Sequence, residues 1–510
     1  MSKNTIFKAT FIVMLMTILS RVIGFGRDML AAYHFGVEGS YDIYVASVAI
    51  PESVFMIVGL AISTTFIPIL SEIRHNKNKD EMFKFSNNVV TILSILSIVV
   101  IVLGLIFTKE IVNIFVPKFT KEQIELTIFL TRITLINIIL LCVNACFASI
   151  LQVCEDFIVP SLLGLFFNIP IIVYLVFFAE VSIIGLTIAN VLGNLLRVLV
   201  QIPSLYKQGY RFKLYIDLRD EKLRSMIILI LPVIVGAGAN SINMLVDKSL
   251  ASGLNTGAMA SLEYSQRIVT FANTAITTSI VSVIYPLMAN RLNAGDKQGF
   301  IKYLTKSIII ICLFLIPITF GMVFLSKEIV TVFYERGKFD SSAVVLTSMA
   351  LFGYSLQLPF AGIRDILNSS LFSMKKTKVT TINGIIGVVI NIALSIILSK
   401  YMGVLGIAIA TSVSSLVIAL LLLNSTKEVV GSFNISEVII KISKIILSST
   451  LMILILYFIN SLLSIENSFI IILTDGSLGA VIFMIMCKIL KIEEFNEALN
   501  MIKMKFKKEG

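Results

Sequence analysis

Histidine occurs twice in 510 residues, at His34 and His75, far apart in the chain. That scarcity argues against an imidazole-built metal centre. The five cysteines, Cys142, Cys146, Cys154, Cys312 and Cys487, sit in or beside apolar runs and form no C-x-x-C pair. A zinc ribbon or dithiol redox centre is therefore excluded, and Cys142 and Cys146, on one helix face, read as small core residues. Charge is thin as well: 14% of residues are Asp, Glu, Lys or Arg, against about 25% in a soluble protein. No G-x-x-x-x-G-K-[ST] loop is present, so ATP hydrolysis is not encoded. No catalytic constellation appears, and an enzyme is not expected. No apolar run alternates with period two, which argues against a β-barrel.

What the chain has instead is apolar length. Hydrophobic residues make up 57% of it, and a spanning helix needs roughly 20 in succession. About fourteen such runs follow one another, at 6–34, 42–71, 86–108, 124–152, 157–179, 182–206, 226–252, 258–289, 303–325, 342–372, 379–399, 403–424, 440–462 and 468–488. The first resembles a signal peptide but is long, and no A-x-A site follows it, so it reads as an uncleaved span. The expected fold is an all-α polytopic membrane protein.

The net charge of +11 does not signal nucleic acid, because the basic residues lie in short connections between spans. With the N-terminus inside, inner connections and ends hold 28 of the 42 Lys and Arg, outer connections hold 7, and 7 lie within spans. This asymmetry predicts cytoplasmic termini. The basic end "KMKFKKEG" reads as a flank of the membrane surface.

The chain also repeats. "KEIVNIF" (109–115) recurs as "KEIVTVF" (327–333), and "GLFFNI" (164–169) is echoed by "GVVINI" (387–392). "GLTIANVLGNLLRVL" (185–199) is echoed by "GIAIATSVSSLVIAL" (406–420), and "RDMLAAY" (27–33) more weakly by "DKSLASG" (247–253). The offset is about 220 residues throughout. Two parallel six-helix lobes follow, at 1–222 and 223–430, with an added helix pair and basic tail at 431–510. This is the plan of an alternating-access transporter.

The intramembrane cations are Arg21, Arg27, Arg132, Arg197, Lys248, Arg267 and Arg364, with the acids Asp28, Asp42, Glu52, Asp247, Glu263 and Asp365 nearby. An arginine at the bilayer centre costs about 2.5–3.5 kcal/mol on insertion scales. It persists where it faces a wet cavity or a counter-charge. Arg21 stands roughly 22 Å into its helix, too deep to reach the inner surface. Arg21, Gly24 and Asp28 share one stripe, which predicts that Asp28 orients or pairs with Arg21. Gly24 and Gly26 are expected to distort the helix enough for Arg27 to reach the same side. Arg132 and Arg197 read as helix-end anchors. Arg21, Arg27, Arg267 and Arg364 are the candidate cations of a cavity for an anionic, phosphate-bearing substrate.

"SRVIGFGRDMLAAYHFG", "DIYVASVAIP" and "FIPILSE", with "LVDKSLASGLNTGAMASLEYSQRI" and "VFYERGKFD" in the second half, resemble the MurJ/MviN family. These are lipid II flippases of the multidrug/oligosaccharidyl-lipid/polysaccharide exporter superfamily. The resemblance covers the whole chain. It implies movement of lipid II, an undecaprenyl-pyrophosphate-linked disaccharide-pentapeptide, from inner to outer leaflet of the bacterial plasma membrane. It places essential residues at Arg21, Arg27, Asp42 and Arg267, and gives the last two spans a role in a groove for the lipid tail. It also implies sodium ligands at Asp247 and Asn391, although Lys248 adjoins the first and span 11 lacks the relatives' carboxylate. The expected driving force is a sodium or chloride gradient or the membrane potential. Expected partners are lipid II or a related polyprenyl-pyrophosphate glycan, membrane lipids and cell-wall synthesis enzymes, with no nucleic acid. One departure stands out. Family members often carry arginine shortly after the span 2 proline, and here "IPESVFMIVG" has Glu52 and no arginine. A flippase for another polyprenyl-linked glycan stays open on that account. So do a drug/cation antiporter and a non-transporting scaffold, although a basic cavity disfavours the antiporter.

Overall fold

Each long apolar run becomes a helix, because a backbone out of reach of water must satisfy its polar groups within its own segment. The computed structural model describes residues 3–374, 376–431, 435–462 and 466–497; the basic end from 498 onward lies outside them. Among the described residues there is no strand. Ten helical stretches are long and apolar enough to cross a membrane, and the bent pair Ser341–Ser355 and Leu358–Ser373 makes an eleventh. One of the ten, Thr377–Val430, runs for 54 residues, roughly 80 Å at 1.5 Å per residue and far beyond one bilayer core. Gly403, at φ 58° and ψ −132°, breaks it into the two spans expected there. Lys3–Phe35 and Glu221–Ser252 supply the expected first and seventh spans.

The chain packs as two compact units. The first holds residues 1–260 and 336–339. Its helices are α1 (Lys3–Phe35), α2 (Gly39–Ala61), α3 (Ile67–Asn76), α4 (Lys79–Ile106), α5 (Thr108–Phe115), α6 (Lys121–Thr134), α7 (Asn137–Val153), α8 (Ile158–Phe177), α9 (Ile183–Lys207) and α10 (Glu221–Ser252). A π-helical turn, Ile62–Phe66, joins α2 to α3. The second unit holds 261–335 and 340–510. It carries most of α11 (Ala258–Asn293), then α12 (Lys297–Phe324), α13 (Ser326–Tyr334), α14 (Ser341–Ser355), α15 (Leu358–Ser373), α16 (Thr377–Val430), α17 (Ile435–Leu462) and α18 (Ser468–Ile489). The packing boundary therefore differs from the repeat boundary at 222. Helix α10 packs on α2 and stays with the first unit, while α17 packs on α12 and joins the second.

The repeat is visible as element order. A long helix and a short one follow each other as α4 and α5, and again as α12 and α13, the short ones carrying the two "KEIV" segments. The next span is broken both times, between α6 and α7 and between α14 and α15.

The connection from α9 to α10 is held by side chains of α4. Asn88, fully buried, donates from Nδ2 to the Asp217 carbonyl and accepts from the Asp217 N–H, both at 2.8 Å. Asn87 makes a similar pair with the Arg211 carbonyl and the Lys213 N–H. A buried amide that both donates and accepts replaces the partner strand this segment lacks. Asn88→Ala strands both backbone groups at a cost of about 1–3 kcal/mol for each group left unsatisfied. The expected readout is faster hydrogen exchange and proteolysis confined to 210–217.

Candidate substrate site

The first unit brings α1, α8 and α9 into close contact. A Cβ on Gly164 would run into the Ser20 hydroxyl. A Cβ on Gly24 would stand 3.3 Å from the Asn168 amide nitrogen. Small residues let membrane helices approach in this way. Gly24 therefore serves packing: α1 is one unbroken helix from Lys3 to Phe35, and the expected distortion at the glycines is absent. His34 adds a 2.8 Å hydrogen bond to the Leu175 carbonyl.

Within this frame the α1 charges sort differently from their helical stripes. Asp28 is buried and pairs with Arg27, its Oδ1 accepting from Nη2 at 2.6 Å and from Nε at 3.0 Å. It does not pair with Arg21. A long arginine can curl around the helix to its immediate neighbour, an option that stripe geometry ignores. Arg21 is exposed on α1, and among the described residues it makes no hydrogen bond or ion pair.

Arg27 also lies 5.5 Å from the centroid of the Phe167 ring on α8. The same ring carries Arg197 of α9, its guanidinium carbon 4.0 Å from the centroid. Arg197 donates from Nη1 to the Asn194 side chain at 3.1 Å and from Nε to the Leu163 carbonyl at 3.4 Å. Behind it runs an amide chain: Asn194 donates to Asn190 Oδ1, Asn137 donates to the same atom, and Asn190 donates to the Tyr44 hydroxyl at 3.0 Å. Arg197 is thus part of a polar core and not the expected helix-end anchor. The sequence holds a signal for it: Asn190, Asn194, Arg197 and Gln201 recur at i, i+4, i+7 and i+11, one polar face of α9.

Asp42 has another task. It is 4% exposed, and its two carboxylate oxygens accept the backbone N–H groups of Gly257 at 2.7 Å and Ala260 at 2.8 Å. It caps the first turn of α11 from a distance of 215 residues in sequence. Gly257 has no side chain to do so itself, and its φ is +84°. A Cβ on Gly257 would run into the Val37 carbonyl, and one on Gly36, at φ +55°, into the Lys338 carbonyl. The Lys338 N–H donates to the Tyr33 carbonyl at 2.9 Å. Three distant pieces of chain meet here through backbone. On α10, Asp247 accepts from Asn243 at 3.4 Å and is half-buried, as is Lys248 beside it.

In the second unit, Arg267 on α11 pairs with Glu263 one turn earlier at 2.8 Å, and remains 48% exposed. Arg364 on α15 pairs with its neighbour Asp365 at 3.2 Å. Half-exposed pairs of this kind contribute about 0–1 kcal/mol, so they orient the guanidinium without consuming its donors. Asn391 on α16 is buried and bonded to Thr411, Ser414 and Ser395 hydroxyls. These neighbours are neutral oxygens. Among the described residues no group of three or more His, Cys, Asp or Glu could hold a metal. The donor set around Asn391 does not fit a charged cation site by itself, and no step is routed through sodium.

Comparison with known proteins now adds to this geometry. The family described as "Lipid II flippase MurJ" matches residues 31–474. A "Probable lipid II flippase MurJ" of Buchnera aphidicola subsp. Acyrthosiphon pisum (strain APS) is 29% identical over 462 residues, covering 89% of this chain and 90% of that one. The solved structure "Lipid II flippase MurJ, inward closed conformation" aligns with a TM-score of 0.81 at 28% identity, over 94% of this chain and 98% of that one. An inward-facing multidrug resistance MATE family transporter of the MOP superfamily aligns at 0.65 and 14% identity, over 82% and 94%. That last likeness concerns the fold alone.

Proposed function

The chain belongs to the lipid II flippase MurJ family, and from that premise we propose how its own residues serve the translocation of lipid II. The protein is a polytopic bacterial membrane transporter that carries lipid II across the membrane for peptidoglycan synthesis. The direction is inner to outer leaflet, by alternating access, with both termini cytoplasmic, a reading supported by the Lys and Arg asymmetry. The drug/cation antiporter reading has no support beyond fold likeness.

Lipid II presents three chemistries: a polyprenyl tail, a pyrophosphate and a glycopeptide. The pyrophosphate is the part that arginines suit, since the planar fork meets two phosphate oxygens at once. Arg21 and Arg27 on α1 engage it from the first unit, and Arg267 and Arg364 from the second. The observation that carries this reading is Arg21, exposed within a spanning helix with no ion pair among the described residues. A charge so placed calls for water or an anion. Asp28, Glu263 and Asp365 hold the other three guanidiniums in place. Asp42 serves the fold through the Gly257 turn. Membrane potential or a monovalent ion gradient is proposed as the drive. Apolar side chains of α17 and α18 such as Leu454, Tyr457, Phe458 and Val481 are exposed and suit the lipid tail.

Reconstituted vesicles test this. Labelled lipid II is expected to cross, and an undecaprenyl-linked glycan with a single phosphate is expected to cross much more slowly. Equal transport of both would contradict pyrophosphate recognition.

A further inference from the structure

We propose that Arg197 is a substrate cation of the first unit, and that with Arg27 across the Phe167 ring it makes the site selective for a pyrophosphate over a single phosphate. This rests on the pyrophosphate reading above.

Two guanidiniums lie within 5.5 Å of one phenyl ring. Like charges gathered at one ring in a membrane repel, and the ring's negative face offsets this only in part, at about 0.5–2 kcal/mol per contact. Asp28 compensates Arg27. Arg197 has no such partner: among the described residues no carboxylate lies within ion-pair distance of it. Its hydrogen bonds to Asn194 and Leu163 go to neutral oxygens and use Nε and one Nη1 donor. A guanidinium has five N–H donors, so an unspent edge remains. A half-buried cation with spare donors beside a second cation is the arrangement that a doubly charged anion satisfies. Each phosphoryl group then meets one fork.

The charged groups acting on Arg197 are Arg27 and Glu52. Glu52, exposed on α2, also acts on Tyr44, as do Arg27 and Asp28. Glu52 therefore belongs to the same cluster, which bears on its oddity in an anion site. Its presence makes the cluster less attractive to a single negative charge. Two bidentate contacts still hold a pyrophosphate. Arg197 supplies from α9 the cation that the stretch after Pro51 lacks.

The test is binding of undecaprenyl pyrophosphate and undecaprenyl phosphate to the full chain in nanodiscs. The proteins are the wild type, Arg197→Lys, Arg197→Gln, Glu52→Gln and the double variant Arg197→Gln/Glu52→Gln. Wild type is expected to prefer the pyrophosphate lipid. Arg197→Gln should weaken that lipid about tenfold and the monophosphate lipid less. Arg197→Lys keeps the charge and the stem over Phe167 and should lose a smaller part. Glu52→Gln should tighten both lipids and fail to restore the preference in the double variant. The proposal is overturned if Arg197→Gln and Arg197→Lys bind both lipids as wild type does. It is also overturned if Glu52→Gln restores Arg197→Gln, because Arg197 would then only neutralise Glu52. Wild type without a preference overturns the pyrophosphate reading itself, and the proposal with it.

Discussion

Arg27→Ala is expected to slow lipid II translocation about 10- to 100-fold while the protein still inserts and folds. The magnitude follows from the contact removed. A hydrogen bond to a charged group contributes about 1.5–3 kcal/mol, and each 1.4 kcal/mol is a factor of ten. Arg27 meets Asp28 through Nε and Nη2, and the ring of Phe167 through its face. Its loss takes the adjacent counter-charge from a buried Asp28. Arg27→Lys should recover only part of the rate, since a point charge lacks the fork. Arg21→Ala should match the transport defect with no change in thermal stability, because Arg21 makes no hydrogen bond or ion pair among the described residues. A vesicle assay beside a melting curve separates the two residues. Normal transport by both alanine variants would contradict the cationic site.

Asp42→Ala is expected to destabilise the first unit by several kcal/mol. Two buried backbone N–H groups, of Gly257 and Ala260, lose their acceptor at about 1–3 kcal/mol each. Asp42→Asn should fall between, since one carboxamide oxygen can accept only part of what two carboxylate oxygens accept now. Gly257→Ala should be about as damaging by a separate route. It forces a side chain into the left-handed region at roughly 1–2 kcal/mol, and its Cβ meets the Val37 carbonyl. Thermal melting in detergent checks all three, with abundance in the membrane as the cellular readout. An Asp42→Ala protein that melts like wild type but does not transport would move Asp42 from the fold to the substrate.

Much of the architecture is legible in the sequence because one requirement governs membrane helices: enough apolar length to cross the bilayer. Long apolar runs mark spans, and the two "KEIV" segments mark α5 and α13. The break in α16 is also legible, since two expected spans meet near Gly403. The partners of single polar residues are less so. Helical spacing gives Asp28 to Arg21, and the adjacent arginine takes it instead. The resemblance groups Asp42 with the cations, yet its partners lie 215 and 218 residues away, beyond any local pattern. Weighed alone, Arg197 reads as an anchor. Its neighbours Asn190, Asn194 and Gln201 at helical spacing hold the missing information. A polar residue in a spanning helix gains meaning from the polar face it shares.

The most direct measurement is a structure of the full chain with lipid II bound in nanodiscs. The expected result is pyrophosphate density within about 4 Å of the Arg27 guanidinium, at charge-assisted hydrogen-bonding range, with Arg21 turned toward it. Pyrophosphate density remote from α1, with Arg27 still held against Asp28 and Phe167, would contradict it.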